Sequence, residues 1–225
     1  MNYGVSGGPT INERDILMKY IGIVDPDLIV VGFCLNDPQP KSQNYSIERE
    51  KLDRSIIGFP FKIVSRIFHE VGLPYMNNVI NKAFYGLAEK MDVIPSWQTA
   101  LQRTYEPSSN DWYEFVQALR EIKEMSDMQG LPDPIFAILN QGTSNVGPTD
   151  YNNPNETLKQ YLHWYHQAEE AAGSAGFRVY NHEKEIASRL INESLSVNIH
   201  DGHPSANLNK IYGEKLYQTI MQYYQ

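Results

Sequence analysis

The chain has 225 residues, of which 41% are apolar, 20% charged and 12% aromatic, enough to bury one sizeable core. Its 19 basic and 27 acidic residues give a formal charge of -8, which argues against a nucleic-acid partner. One cysteine, Cys34, allows neither an internal disulfide nor a multi-cysteine metal cluster, and no apolar run reaches the roughly 20 residues of a membrane span.

Met1 leads directly into the polar, glycine-rich Asn2-Tyr3-Gly4-Val5-Ser6-Gly7-Gly8-Pro9, without the apolar run of a signal peptide. Residues 11–24 then form an amphipathic helix, with Ile16, Leu17, Tyr20 and Ile21 at helical spacing and Asp25-Pro26 as its stop. Asp27-Leu28-Ile29-Val30-Val31-Gly32-Phe33 is apolar nearly throughout, as in a parallel strand covered on both faces. Residues 38–110 mix a polar loop up to Arg49 with short helical stretches over 56–69, 77–88 and 97–101, punctuated by glycine and proline. They are expected to form a helical insertion or lid within a single domain spanning 1–225. A helix over 111–128 ends at Gly130, and a second buried strand, Ile135 to Leu139, follows. A helix over 156–172, a short strand over 176–180, a helix over 182–195 and a terminal helix over 205–224 complete the chain. This alternation predicts an α/β sandwich built on a parallel sheet.

Three polar stretches fall where strands of such a sheet end, the place where open α/β sheets hold ligands. Gly4-Val5-Ser6-Gly7-Gly8 offers backbone N–H groups in a turn, suited to an anion or oxyanion, and equally fits a plain turn. It has neither the Gly-Lys-Ser/Thr of a P-loop nor a dinucleotide fingerprint, so no cofactor is implied. Cys34-Leu35-Asn36-Asp37-Pro38 follows the strongest strand; Asn36 can aim an amide N–H at a developing negative oxygen and Asp37 can fix the loop through backbone bonds, and an ordinary turn closed by Pro38 fits equally. Nothing near Cys34 in sequence lowers its pKa, which makes it a small core residue rather than a nucleophile. In His200-Asp201-Gly202-His203-Pro204-Ser205, His203 can act as a base held by Asp201, the alternative being a surface loop with two incidental histidines. His163 and His166, three apart on one helix, allow a rival reading as metal ligands completed by His182, His200 or Asp201.

Together these stretches resemble the conserved blocks of the SGNH, or GDSL-like, hydrolase family. Asn2 to Gly7 is similar to the second block, Gly32-Phe33-Cys34-Leu35-Asn36-Asp37 to the third, and Asp201-Gly202-His203-Pro204 to the last. The resemblance implies a flavodoxin-like three-layer α/β/α sandwich with a helical insertion. It also implies hydrolysis of carboxylic esters, acetyl esters among them, through an acyl-enzyme. In that scheme Gly7 N–H and Asn36 receive the oxyanion, His203 is the general base and Asp201 orients it. The substrate class is a small-molecule, carbohydrate or lipid ester.

Two features depart from the family pattern. One residue rather than two separates Asp201 from His203, which puts His200 where the usual spacing has Asp. The Gly-Asp-Ser block that supplies the nucleophile has no match, and Ser6 and Ser144 are poor substitutes. The expectation is therefore an N-terminally truncated chain, inactive as numbered. A non-catalytic remnant that binds carbohydrate or lipid is the second reading, and the His163/His166 metal hydrolase the third.

Overall fold

A computed structural model describes residues 8–39, 45–139, 154–181, 196–198 and 201–223. The chain divides into two compact units, Met1–Asp37 with Glu114–Gln225, and Pro38–Tyr113. The fold is mixed α/β.

The first unit is built on a three-stranded parallel sheet of order β1-β2-β3, formed by β1 (Val30–Phe33), β2 (Ile135–Ile138) and β3 (Arg178–Asn181). Val31 pairs with Phe136, which pairs with Val179. Parallel strands need long crossovers, and the helices supply them. The first helix, α1 (Thr10–Val24), precedes β1 and ends at Asp25, whose φ of 47° places it in the left-handed region. A long helix that begins in the second unit, Asn110–Met128, leads into β2 and is followed by Gly130 at φ 67°. Between β2 and β3 lies Glu156–Ser174, capped by Asn155, whose side chain accepts a 2.8 Å bond from Leu158 N–H.

The all-apolar sequence of β2 is explained by its burial on both faces. Phe33 and Phe136 lie ring to ring at 5.0 Å, with Phe115 5.6 Å and Tyr165 6.3 Å from Phe33. The third strand starts two residues later than the apolar pattern predicts. Gly176 takes φ 95° and Phe177 N–H closes back on Ala172 O, so both residues finish the preceding helix instead.

The segment around His203 is a strand rather than a loop. β4 (Ser196–Asn198) and β5 (Asp201–Pro204) pair antiparallel, and the terminal helix Ala206–Tyr223 begins immediately afterwards. Ser205 caps it, with its Oγ accepting from Leu208 N–H at 3.2 Å. The helix predicted over 182–195 lies outside the described residues.

In the second unit, α2 (Tyr45–Arg54), α3 (Gly58–Glu70), α4 (Pro74–Lys90) and α5 (Trp97–Thr104) precede the long helix, now α6. By chain order, Glu156–Ser174 is α7 and the terminal helix is α8. α2 takes over residues 45–49 at the end of the expected polar loop. Its sequence is nearly devoid of apolar periodicity, and Glu48–Lys51 and Glu50–Arg54 ion pairs decorate it at helical spacing. Leu52, Phe84, Ala88 and Ile94 make the small core of this unit, and Phe61 stacks on Phe84 at 4.3 Å.

The corner between α2 and α3 admits only glycine at position 58. A Cβ there would sit 1.9 Å from the carbonyl oxygen of Leu52, and this obstacle is backbone that no rotamer change can move. Ser55 bonds on both sides of the corner, donating to Leu52 O and accepting from Gly58 N–H. Gly58→Ala should therefore break the α2–α3 corner. Loss of helical signal confined to this unit, with the sheet unit still cooperative, is the expected result; unchanged circular dichroism and unchanged thermal melting would contradict it.

Candidate functional site

The candidate site is at the carboxyl end of β1. The strand ends at Phe33, and Cys34 to Asp37 fold into a tight turn closed by Asp37 N–H to Cys34 O at 3.0 Å. Asp37 is buried, and its Oδ2 turns back to accept the Cys34 N–H at 2.6 Å. Its carbonyl accepts Thr10 N–H at 3.1 Å, which ties the first residue of α1 to the turn. This is the backbone-fixing role expected of an Asp in such a turn. Asn36 stands between these anchors, half-buried, and its side chain has no hydrogen-bond partner among the described residues. Among the described residues the turn thus holds an uncommitted amide on a fixed backbone, as a donor for a developing anion requires.

Removing the Asp37 side chain leaves Cys34 N–H without its acceptor. Asp37→Ala is expected to cost about 1–3 kcal/mol in urea unfolding, and Asp37→Asn, which retains a carbonyl oxygen, much less. Equal losses in the two variants would rule out this account.

Beneath the turn lies an acidic pair that the sequence does not announce. Glu13, in the first turn of α1, has its Oε2 shut away from solvent with no hydrogen-bond partner among the described residues. Burial raises its carboxyl to about 7. Asp37 is pushed well above the ordinary carboxylate range, first by burial and then by Glu13, against the opposing pull of the Cys34 N–H bond. Burial, Asp37 and Glu13 all raise the Cys34 thiol, so it remains protonated at neutral pH. Cys34 is therefore no nucleophile in this setting. Its Sγ faces Leu139 O at 3.8 Å.

Leu139 is where the other part of the site arrives. Immediately after β2, it donates its N–H to Phe33 O at 2.8 Å and packs against Leu208, Ile211 and Tyr212 of α8. The start of α8 is thus held to the same sheet end as the Asn36 turn. His203 and Asp201 occupy the third and first positions of β5, directly before that helix.

Other candidates fare differently. Gly7, Ser6, Ser144, His182 and His200 lie outside the described residues. His163 and His166 are exposed on α7, and His166 Nδ1 lies 2.8 Å from Glu169 Oε2, whose other oxygen accepts from Asn181. Among the described residues no group of three or more His, Cys, Asp or Glu side chains is placed to hold a metal. Nor is any described helix long and apolar enough to cross a membrane.

The sequence reading missed Glu13, although a signal for it was present. It falls four residues before Leu17 and seven before Tyr20, on the inner stripe of an amphipathic helix where an apolar residue is expected. Comparison with known protein families, with curated proteins and with solved structures gives no match.

Proposed function

We propose that the chain is an SGNH-type ester hydrolase domain, in which Asn36 donates to the oxyanion, His203 is the general base and Asp201 orients it. The observation that carries this reading is the convergence on Leu139. The turn bearing Asn36 reaches it through Cys34, and the helix that follows His203 packs on it. The Asn36 turn and the start of α8, more than 160 residues apart in sequence, therefore meet at the carboxyl end of the central strand β2. The order β1-β2-β3 also suits a flavodoxin-like sheet in which β1 plays the family's third strand, because the family's first strand would pair along the side of β1 away from β2.

In this reading a serine hydroxyl attacks the ester carbonyl while His203 takes its proton. The alcohol leaves with that proton, and water then repeats the sequence to release the acid. Asn36 and the Gly7 N–H bind the oxyanion in both steps, each donor contributing about 3 kcal/mol in the transition state. No Gly-Asp-Ser occurs in residues 1–225, an observation that favours the second reading, a binding module that retains the oxyanion residues.

A p-nitrophenyl acetate assay on this chain and on a chain extended by the codons upstream of Met1 separates the two. Turnover in the extended form that His203→Ala abolishes supports the hydrolase. Absence of turnover in both forms, each shown to be folded, leaves the binding module. Turnover that survives His203→Ala refutes the assigned base.

A further inference from the structure

The α3–α4 hairpin of the second unit carries far more exposed apolar surface than its own core accounts for. The helices run antiparallel, with Phe61 stacked on Phe84 and Ser65 bonded to Asn77. Those contacts use one side of α3. A different side bears Phe59, Ile63 and Ile67, continued by Val71, at strict four-residue spacing and with exposures of 45% to 62%. Twelve residues of helix make this stripe about 18 Å long. Single exposed apolar residues are ordinary, but a continuous stripe on one helix marks a binding surface. α4 has a similar series in Tyr75, Val79 and Leu87.

Charge decides what the α3 stripe fits. Lys62 and Arg66 lie one residue before Ile63 and Ile67, so they line one edge of the stripe. Over residues 58–90, Lys62, Arg66, Lys82 and Lys90 stand against Glu70 and Glu89, a net charge of +2, whereas the whole chain carries -8. The hairpin is therefore a basic, apolar element on an acidic protein. Arg66 lies 3.9 Å from Glu70 in an exposed pair of little strength, and Lys62 reaches the largely buried Asp53 from a position that leaves its own side chain 61% exposed, so both cations remain open to phosphates. Packing two copies α3 against α3 would bring the four cations together and is disfavoured for that reason.

We propose that α3 lies in the interface of an anionic lipid bilayer, with Phe59, Ile63, Ile67 and Val71 among the acyl chains and Lys62 and Arg66 at the headgroup phosphates. This docking does not depend on the ester chemistry assigned to the other unit. It would carry the protein to a surface rather than across it.

Co-sedimentation with vesicles tests it, using the full chain and phosphatidylcholine vesicles containing roughly one-third phosphatidylglycerol. The wild-type chain should sediment with these vesicles and weaken on added salt. Ile63→Ser/Ile67→Ser should lower the partition constant about tenfold or more, and Lys62→Glu/Arg66→Glu by a similar factor. All four side chains are exposed, so the fold should persist, and far-ultraviolet circular dichroism verifies it. Failure of the folded wild-type chain to sediment with anionic vesicles overturns the proposal. So does equal binding to pure phosphatidylcholine, or unchanged binding by either double variant. A wild-type dimer that Ile63→Ser/Ile67→Ser converts to monomer, without vesicle binding, assigns the stripe to a second copy instead.

Discussion

Asn36→Ala should lower kcat for p-nitrophenyl acetate by about 10²–10³-fold in the form of the protein that turns it over, with KM little changed. The reason lies in when the interaction forms. A carbonyl oxygen in the bound ester carries little charge, whereas the tetrahedral oxyanion carries nearly a full one, so a donor aimed at it acts mainly in the transition state. The backbone around Asn36 is held at Cys34, Asp37 and Thr10, so substitution at position 36 should leave the turn in place. Asn36→Asp is the sharper variant, because it keeps the shape and replaces the donor with a second negative charge. It should be at least as impaired as the alanine variant. If kcat is unaffected while KM rises, Asn36 binds ground-state ester and the oxyanion assignment is wrong.

Glu13→Gln should stabilise the protein at pH 8 by about 2–3 kcal/mol and have little effect at pH 4. In the folded state the Glu13 carboxyl sits at about 7, against an ordinary value of 4.5. At pH 4 it is mostly protonated in both states and folding carries almost no electrostatic cost. As the pH rises from 4.5 towards 7, the unfolded chain gives up its proton while the folded protein retains it. The stability present at low pH is lost progressively through this window and levels off above it. Glutamine has no proton to lose, so its stability curve should lack this decline. Urea unfolding of both proteins at pH 4, 6 and 8 measures the difference, and parallel profiles would show that Glu13 is solvated. The buried Asp37 changes in the same sense, since a neutral residue 13 removes one of the two influences that raise it.

β2 is legible in the sequence because burial on both faces leaves little choice of residue, whereas β1 buries Val31 and Phe33 and leaves Val30 exposed. Of the apolar runs predicted as strands over 27–33 and 135–139, Val30–Phe33 and Ile135–Ile138 form strands, so the first begins three residues later than its apolar pattern. Helix ends marked by Gly130 and Asn155 are similarly plain, since each residue does its local work regardless of what packs nearby. α2 is hidden for the opposite reason: its sequence is mostly charged, Leu52 is what it gives to the core of its unit, and the periodic signal that reveals helices is nearly absent. The β4–β5 pairing is hidden because Ser196 to Asn198 and Asp201 to Pro204 have little strand propensity, and partner geometry sets their conformation. At the site, the fixing role of Asp37 follows from its position in a turn, whereas its partners do not. That Glu13 approaches it depends on how α1 packs, and that the start of α8 meets Leu139 depends on the whole crossover between them.

Asp37 accepts one backbone amide on its side chain and another on its carbonyl, and the two amides belong to different elements. The start of α1 and the end of β1 consequently have no separate way to melt. A fluctuation that frees Thr10 also leaves the Asp37 carbonyl without its donor, so the two should open as one cooperative unit with the sheet. The floor beneath Asn36 is therefore preset before any ligand arrives, and its ordering entropy is already spent during folding rather than at binding. A ligand meeting such a floor gains affinity or rate only as far as its own shape already matches it.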